Sequence, residues 1–215
     1  MNDDSFSLGL RCMLRGMMTK MKKNKPKYNQ IIEAAVEVIA ENGYHASQVS
    51  KIAKKAGVAD GTIYLYFKNK EDILVSLFEV KMGQFIEQIA QSINEKQHVS
   101  DKLYALIEMH FRQFAKDHHL AVVTQLELRQ SNSELRWKIN EVLKPYLSEI
   151  DLVIKEGIDD GSFRGDLNLP LVRQMIFGTL DEVVTNWVMN EQRYNLLAQA
   201  SAVHALIING LSVKE

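Results

Sequence analysis

Cysteine is almost missing from this sequence. Cys12 is the only one, so no disulfide can close within the chain, and a reducing cytoplasm is the natural compartment. Proline occurs three times, at Pro26, Pro145 and Pro170. Pro26 and Pro170 suit the first turn of a helix, where the missing amide proton would be unpaired anyway. Pro145 falls inside a long periodic run and is expected to bend it. No stretch approaches the ~18–20 consecutive apolar residues of a membrane-spanning helix. The first residues include Asp3 and Asp4 and lack an apolar core, which excludes a secretory signal. Strand-type alternation and internal repeats are also absent.

Catalytic signatures are missing too. There is no G-x-x-x-x-G-K phosphate loop, no H-E-x-x-H and no G-x-S-x-G. His118 and His119 are adjacent, so on a helix they would point about 100° apart rather than chelate together. His45, His98, His110 and His204 are scattered, and read as structural or solvent-facing. Neither an enzyme nor a metal protein is expected, and no resident cofactor is implied.

What is present is concentrated between Ser47 and Leu74. Val49, Ile52, Ala53 and Ala56 recur at the spacing of one helix face. Ala56-Gly57-Val58 interrupts the pattern, and Ile63 and Phe67 resume it four residues apart. A short helix, a glycine turn and a second short helix make a helix-turn-helix, whose second helix enters the DNA major groove. Lys51, Lys54, Lys55, Lys68 and Lys70 ring it with cations, and Tyr64 and Tyr66 bring hydroxyls that can reach phosphate. Charge agrees. Residues 20 to 82 carry eleven Lys and Arg against seven Asp and Glu, whereas residues 83 to 215 carry thirteen against eighteen. Only the front of the chain is suited to a polyanion.

Gly57-Val58, Gly61-Thr62-Ile63-Tyr64, Tyr66-Phe67 and Lys70-Glu71 followed by Ile73-Leu74 resemble, in order and spacing, the signature of the TetR family of bacterial repressors. The resemblance implies that Thr62 and Tyr64 reach base edges or nearby phosphates. It implies that Tyr66 and Lys70 clamp phosphate, Lys70 aided by amides at the start of the fourth helix, and that Ser47 and Gln48 contact the DNA backbone. Lys51 and Lys68 complete the expected DNA-binding set. One departure is Ala59-Asp60, where the family often has serine before the recognition helix. Asp60 favours a helix N-terminus but carries a negative charge toward phosphate.

The whole chain reads as all-α, with nine helices. Ile31, Ile32, Ala35, Val36, Ile39 and Ala40 mark the first, ended by Asn42-Gly43. Ser47 is expected to cap the second and Asn69 the fourth. Later helices are expected over about 100–116, from Ala121 to Arg129, from about 133 to Gly161, from Pro170 to about 190, and over 196–211. These boundaries give a leader (1–21), a three-helix DNA-binding domain (22–68) and a six-helix ligand-binding and dimerisation domain (69–215). Trp187, Val184, Met175 and Leu206 are candidates for a homodimer seam. A dimer is required if two recognition helices are to enter successive grooves of a palindromic operator.

In the rear domain, Leu103, Ile107, Phe111, Phe114, Leu126 and Phe177 can line an apolar tunnel. Arg129, Arg136, Arg173, Glu127 and Asn186 are polar residues within that pattern, and arginine forks recognise phosphate well. The stretches Thr124–Asn132, Arg173–Glu182 and Thr185–Asn190 resemble the branch of the TetR family that regulates fatty-acid degradation in Gram-positive bacteria. That resemblance implies a repressor of β-oxidation genes released by long-chain acyl-CoA, with an apolar tunnel for the acyl chain and cations at its mouth for the CoA phosphates. Arg129 and Arg136 join the apolar set as candidate ligand-binding residues, and which arginine stands at the mouth stays open. Two other readings stay open. One is a repressor of the same fold that senses a lipophilic cationic drug through Glu108, Glu127 or Asp181. The other is an acyl-CoA carrier that does not bind DNA.

Overall fold

The computed structural model describes residues 26–127 and 132–213. The leader, Cys12, the basic residues before Pro26, and Arg129 lie outside the described residues. Those described form nine α-helices: α1 (Pro26–Asn42), α2 (Val49–Lys55), α3 (Asp60–Ile63), α4 (Lys70–Asn94), α5 (Val99–Lys116), α6 (His118–Glu127), α7 (Ser133–Asp159), α8 (Leu169–Met189) and α9 (Ala200–Leu211). A single 3-10 turn spans Leu196–Gln199. The all-helical expectation is met. The described residues fall into two compact units, one made of those up to Gln84 and those within Glu127–Val142, the other of those within Phe85–Leu126 and Leu143–Glu215. The sequence pattern changes at 68/69, where α4 begins. The packing division falls within α4, because its first half completes the core of the helix-turn-helix.

In the first unit, Ile31, Ile32, Ala35 and Ile39 of α1 bury against Ile52 and Ala53 of α2, Ile63 of α3, Phe67, and Ile73, Leu74 and Leu77 of α4. Full burial of side chains of this size stabilises by roughly 1.5–3 kcal/mol each. The turns depend on two glycines. Gly43 follows α1 at φ +74° and Gly57 follows α2 at φ +63°, the left-handed region that suits glycine. Lys81, buried on α4, donates to both carboxylate oxygens of Glu33 at 2.8 and 2.7 Å, tying α4 to α1.

Asn69 caps α4 as expected. Its Oδ1 accepts from Asp72 N at 2.8 Å, while Asp72 Oδ2 accepts from Lys68 N at 2.8 Å. Ser47 does not cap α2. The boundary residue is Gln48, whose side chain makes no capping bond. The buried Ser47 hydroxyl points backward instead, within hydrogen-bonding reach of the carbonyls of Gly43 (2.7 Å) and Val38 (3.1 Å). Its one hydrogen adds to the donors already on these carbonyls, Asn42 Nδ2 on Val38 and Ser47 N on Gly43, at a helix end where carbonyls call for donors.

In the second unit, α5 presents Leu103, Leu106, Ile107, Phe111 and Phe114 to a core shared with Tyr146, Ile150 and Ile154 of α7 and Ile176, Leu180 and Val184 of α8. The helix α6 starts at His118, three residues before the sequence pattern suggested, because Asp117 supplies a cap to Leu120 N at 2.9 Å. The helix α7 runs through Pro145 as one element. Asn168 caps α8 through Leu171 N at 3.1 Å, with Pro170 in the first turn.

Two of the four expected seam residues belong elsewhere. Val184 and Trp187 are buried in the protomer's own core, and Trp187 Nε1 donates to the Tyr194 carbonyl at 2.8 Å. Helical spacing explains this: Ile176, Leu180, Val184 and Trp187 share one face of α8, while Leu171, Met175 and Met189 lie on the other and are exposed. Leu206 of α9 is likewise exposed.

Gly157 leaves no room for a side chain: a Cβ there would overlap the ring of the buried Phe163. Gly157→Ala should therefore destabilise the second unit by about 1–3 kcal/mol, read from urea unfolding. A simultaneous Phe163→Leu should recover part of the loss.

Candidate functional site

The segment expected to read DNA is a single helical turn, Asp60–Ile63, extended by hydrogen-bonded turns through Tyr66 and Phe67, whose amides both reach the Ile63 carbonyl at 3.0 Å. Ile63 and Phe67 anchor it in the core. Tyr64 projects outward at 59% exposure and Leu65 at 80%. Thr62 and Tyr66 are half-buried, and Gln48, Lys51 and Lys68 are exposed. Tyr66 meets Tyr28 edge-on at 6.3 Å, and Tyr28 stacks on Phe67 at 4.9 Å, so its ring is held by packing. Lys51 Nζ donates to Asn42 Oδ1 at 3.1 Å. Leu65 was not singled out from sequence. Its exposure on the reading segment gives it the chemistry to meet a thymine methyl in a major groove, and the signal was its place between two tyrosines.

Lys70 does more than the phosphate clamp expected of it. Its ammonium donates to the carbonyls of Tyr44 and His45, both at 3.1 Å, and lies 4.6 Å from the centre of the Tyr44 ring. Two of its three donors thus brace the α1–α2 turn, leaving one. Tyr44 N in turn donates to Glu127 Oε1 at 2.9 Å. Burial, with the negative charges of Glu71 and Glu127, pushes the Tyr44 hydroxyl up to about 12. Ser47, sealed in the core, has no hydroxyl to offer DNA.

The expected effector residues divide. Leu103, Ile107, Phe111 and Phe114 are buried along one side of α5, and Phe177 reaches the same cluster through Tyr146, at 6.0 Å between rings. Leu126 does not join them, being 52% exposed. Arg136 is exposed and lies in the first unit. Arg173 is paired with Asp151 at 2.5 Å. A cleft of about 570 Å³ on the second unit carries four carboxylates, Glu149, Glu156, Asp159 and Asp160, against two lysines, Lys102 and Lys155, and Lys102 is already paired with Glu156.

At the centre of the aromatic cluster is one of the scattered histidines, and it is of the structural kind. His110 is buried among Phe85, Phe111, Phe114 and Tyr146, with ring centres 5.1–5.9 Å away. Its Nδ1 is 2.9 Å from the Tyr146 hydroxyl. Burial alone drives its pKa down from 6.5 to about 3, so the imidazole is neutral near pH 7. The clue in the sequence was position: His110 follows Leu103 and Ile107 and precedes Phe114 on one helical stripe.

The family profile for bacterial regulatory proteins of the tetR family matches residues 31–77, and that for the C-terminal region of YsiA-like proteins matches residues 78–210. The chain belongs to the TetR family. A fatty acid metabolism regulator protein of Bacillus subtilis (strain 168) is 62% identical over 194 residues, covering 90% of this chain and 100% of that protein. The fatty acid degradation regulator FadR of Bacillus halodurans superposes with a TM-score of 0.83 at 62% identity, covering 86% of this chain and 99% of that one. FadR from Bacillus subtilis, solved in complex with stearoyl-CoA, gives a TM-score of 0.84 at 63% identity, covering 85% and 98%. Within this TetR-family chain the helix-turn-helix lies in the N-terminal match and the His110 cluster in the C-terminal one.

The two basic residues flanking Asn69 should separate by mutation. Lys68→Ala should weaken DNA binding and lower its salt slope by about one with an unchanged melting temperature. Lys70→Ala should weaken binding and also lower stability by about 1–2 kcal/mol, since two carbonyls lose a charged donor.

His110 also sets a pH dependence. Its folded pKa lies below its unfolded value, so the unfolded chain takes up a proton first as pH falls. Its contribution is complete above pH 6.5 and is lost toward about pH 3, at a slope of up to about 1.4 kcal/mol per pH unit. Urea unfolding across that window should show a shallower acid loss in His110→Phe than in the parent protein.

Proposed function

We propose that the protein is a cytoplasmic repressor of fatty-acid degradation genes, which binds a palindromic operator as a homodimer and leaves it on binding long-chain acyl-CoA. The observation that carries this reading is the 62% identity, over the full length of the relative, to a fatty acid metabolism regulator. The stearoyl-CoA complex of the B. subtilis FadR relative supports the choice of effector. The exposed face of α8 and α9, with Leu171, Met175, Met189 and Leu206, suits the homodimer seam.

Release requires a link from effector to reading segment. The α6 helix ends at Glu127, whose carboxylate holds the Tyr44 amide, and Lys70 holds the two carbonyls beside it. A ligand that moves α6 would pull on this attachment and shift the α1–α2 turn, and with it the recognition segment. Coupling of this kind is reciprocal: the operator must weaken acyl-CoA binding by the factor by which acyl-CoA weakens operator binding. A cationic drug is less well supplied, because Glu108 is paired with Arg112 and Glu127 with the Tyr44 amide.

Fluorescence anisotropy on a DNA site selected by the protein from a random pool tests the proposal. Palmitoyl-CoA should release the DNA, with an affinity change of roughly 5–150-fold, whereas palmitate and a cationic dye should not. Glu127→Ala should retain both binding activities but lose much of the coupling. Equal acyl-CoA affinity with and without operator would sink the mechanism, and failure to select any DNA would favour the carrier.

A further inference from the structure

The His110–Tyr146 pair has one hydrogen too many for its surroundings. A neutral imidazole carries one N–H and a phenol one O–H. Among the described residues, each finds only the other, across the single 2.9 Å contact at Nδ1, and His110 Nε2 is buried with no partner. If the phenol donates to Nδ1, the Nε2–H is left over. If Nδ1–H donates to the phenolic oxygen, the phenol hydrogen is left over. Either tautomer leaves one donor without an acceptor.

No hydrogen-bond partner among the described residues answers it. The neighbouring rings are those of Phe85, Phe111 and Phe114, and Phe177 beyond Tyr146, and a ring face is at best a weak acceptor. The nearby charge is that of Asp181, which adds to burial in pushing the Tyr146 hydroxyl up. A buried donor without a partner is costly. The acceptor that fits best is uncharged, since a carboxylate would lose its hydration in this cage and would meet the negative field of Asp181 that already acts on Tyr146. It must also arrive on a largely apolar molecule.

Building on the acyl-CoA reading above, we propose that the His110–Tyr146 pair is the polar anchor of the effector site and donates one hydrogen bond to the thioester carbonyl oxygen of the acyl-CoA. A saturated acyl chain has no other acceptor beyond that oxygen. Were chain methylenes to fill the cage instead, the donor would remain unpaired. The pair thereby favours a thioester over the free fatty acid, whose carboxylate would have to lose its hydration or take up a proton to enter the cage, and over an alkyl thioether, which brings no acceptor.

Titration calorimetry with palmitoyl-CoA and hexadecyl-CoA, its thioether counterpart without the carbonyl, tests this. The wild-type protein should prefer the thioester by about tenfold, the fold-change of one buried hydrogen bond. His110→Phe and Tyr146→Phe should each retain part of that preference, because each leaves one donor. The double variant should bind both ligands equally, with hexadecyl-CoA binding serving as its folding control. Infrared spectra of palmitoyl-CoA labelled with carbon-13 at the carbonyl decide the matter in the wild-type protein alone: the bound carbonyl stretch should move to lower frequency. An unshifted stretch, or equal wild-type affinity for the two ligands, would overturn the proposal while leaving the acyl-CoA reading intact. If neither CoA binds, the acyl-CoA reading itself fails.

Discussion

The turn between α1 and α2 is held by three polar attachments that converge on two residues. The Lys70 ammonium takes the carbonyls of Tyr44 and His45, and the Glu127 carboxylate takes the Tyr44 amide. The apolar core holds the first unit together, and this arrangement fixes how the turn sits within it. The turn sets where α2 begins, α2 sets the Gly57 corner, and that corner places the four-residue α3. A recognition helix of one turn has little hydrogen bonding of its own, so its position must be imposed by the framework around it. Charged donors and acceptors on backbone groups suit that task, because they are stronger and more directional than neutral hydrogen bonds.

This accounts for what could and could not be read from sequence. Apolar periodicity located the helices well, because Ile31, Ile32, Ile39, Ile52 and Ile63 are buried for the reason their spacing suggests. Periodicity carries no information about which polar group serves which backbone atom. Ser47 has the identity of a helix cap, yet its hydroxyl turns to the carbonyls ending α1. Lys70 looked like a phosphate ligand and spends most of its donors on the turn. The start of α6 was missed because its cap, Asp117, stands outside the apolar pattern. Trp187 and Val184 were apolar and well spaced, but spacing alone does not say which face of α8 turns inward.

The effector half shows the same limit more sharply. The α5 stripe of Leu103, Ile107, Phe111 and Phe114 was evident, whereas its most informative member, His110, was set aside with the scattered histidines. Its significance lies in a hydrogen count that depends on Tyr146, thirty-six residues away, and a single sequence does not display such a pairing. Resemblance to relatives supplied the ligand class. The geometry adds where a carbonyl could be answered within an otherwise apolar cluster.

The two tryptophans give the molecule a pair of built-in optical probes. Trp187 is sealed in the second unit with its indole N–H bonded to a carbonyl, while Trp137 stands 61% exposed on the part of α7 that belongs to the first unit. Their emission should differ in colour, blue for the sheltered indole and red for the wet one. Each compact unit thus carries its own intrinsic reporter, and ordinary fluorescence can tell which of them responds first when an effector or a DNA site is added.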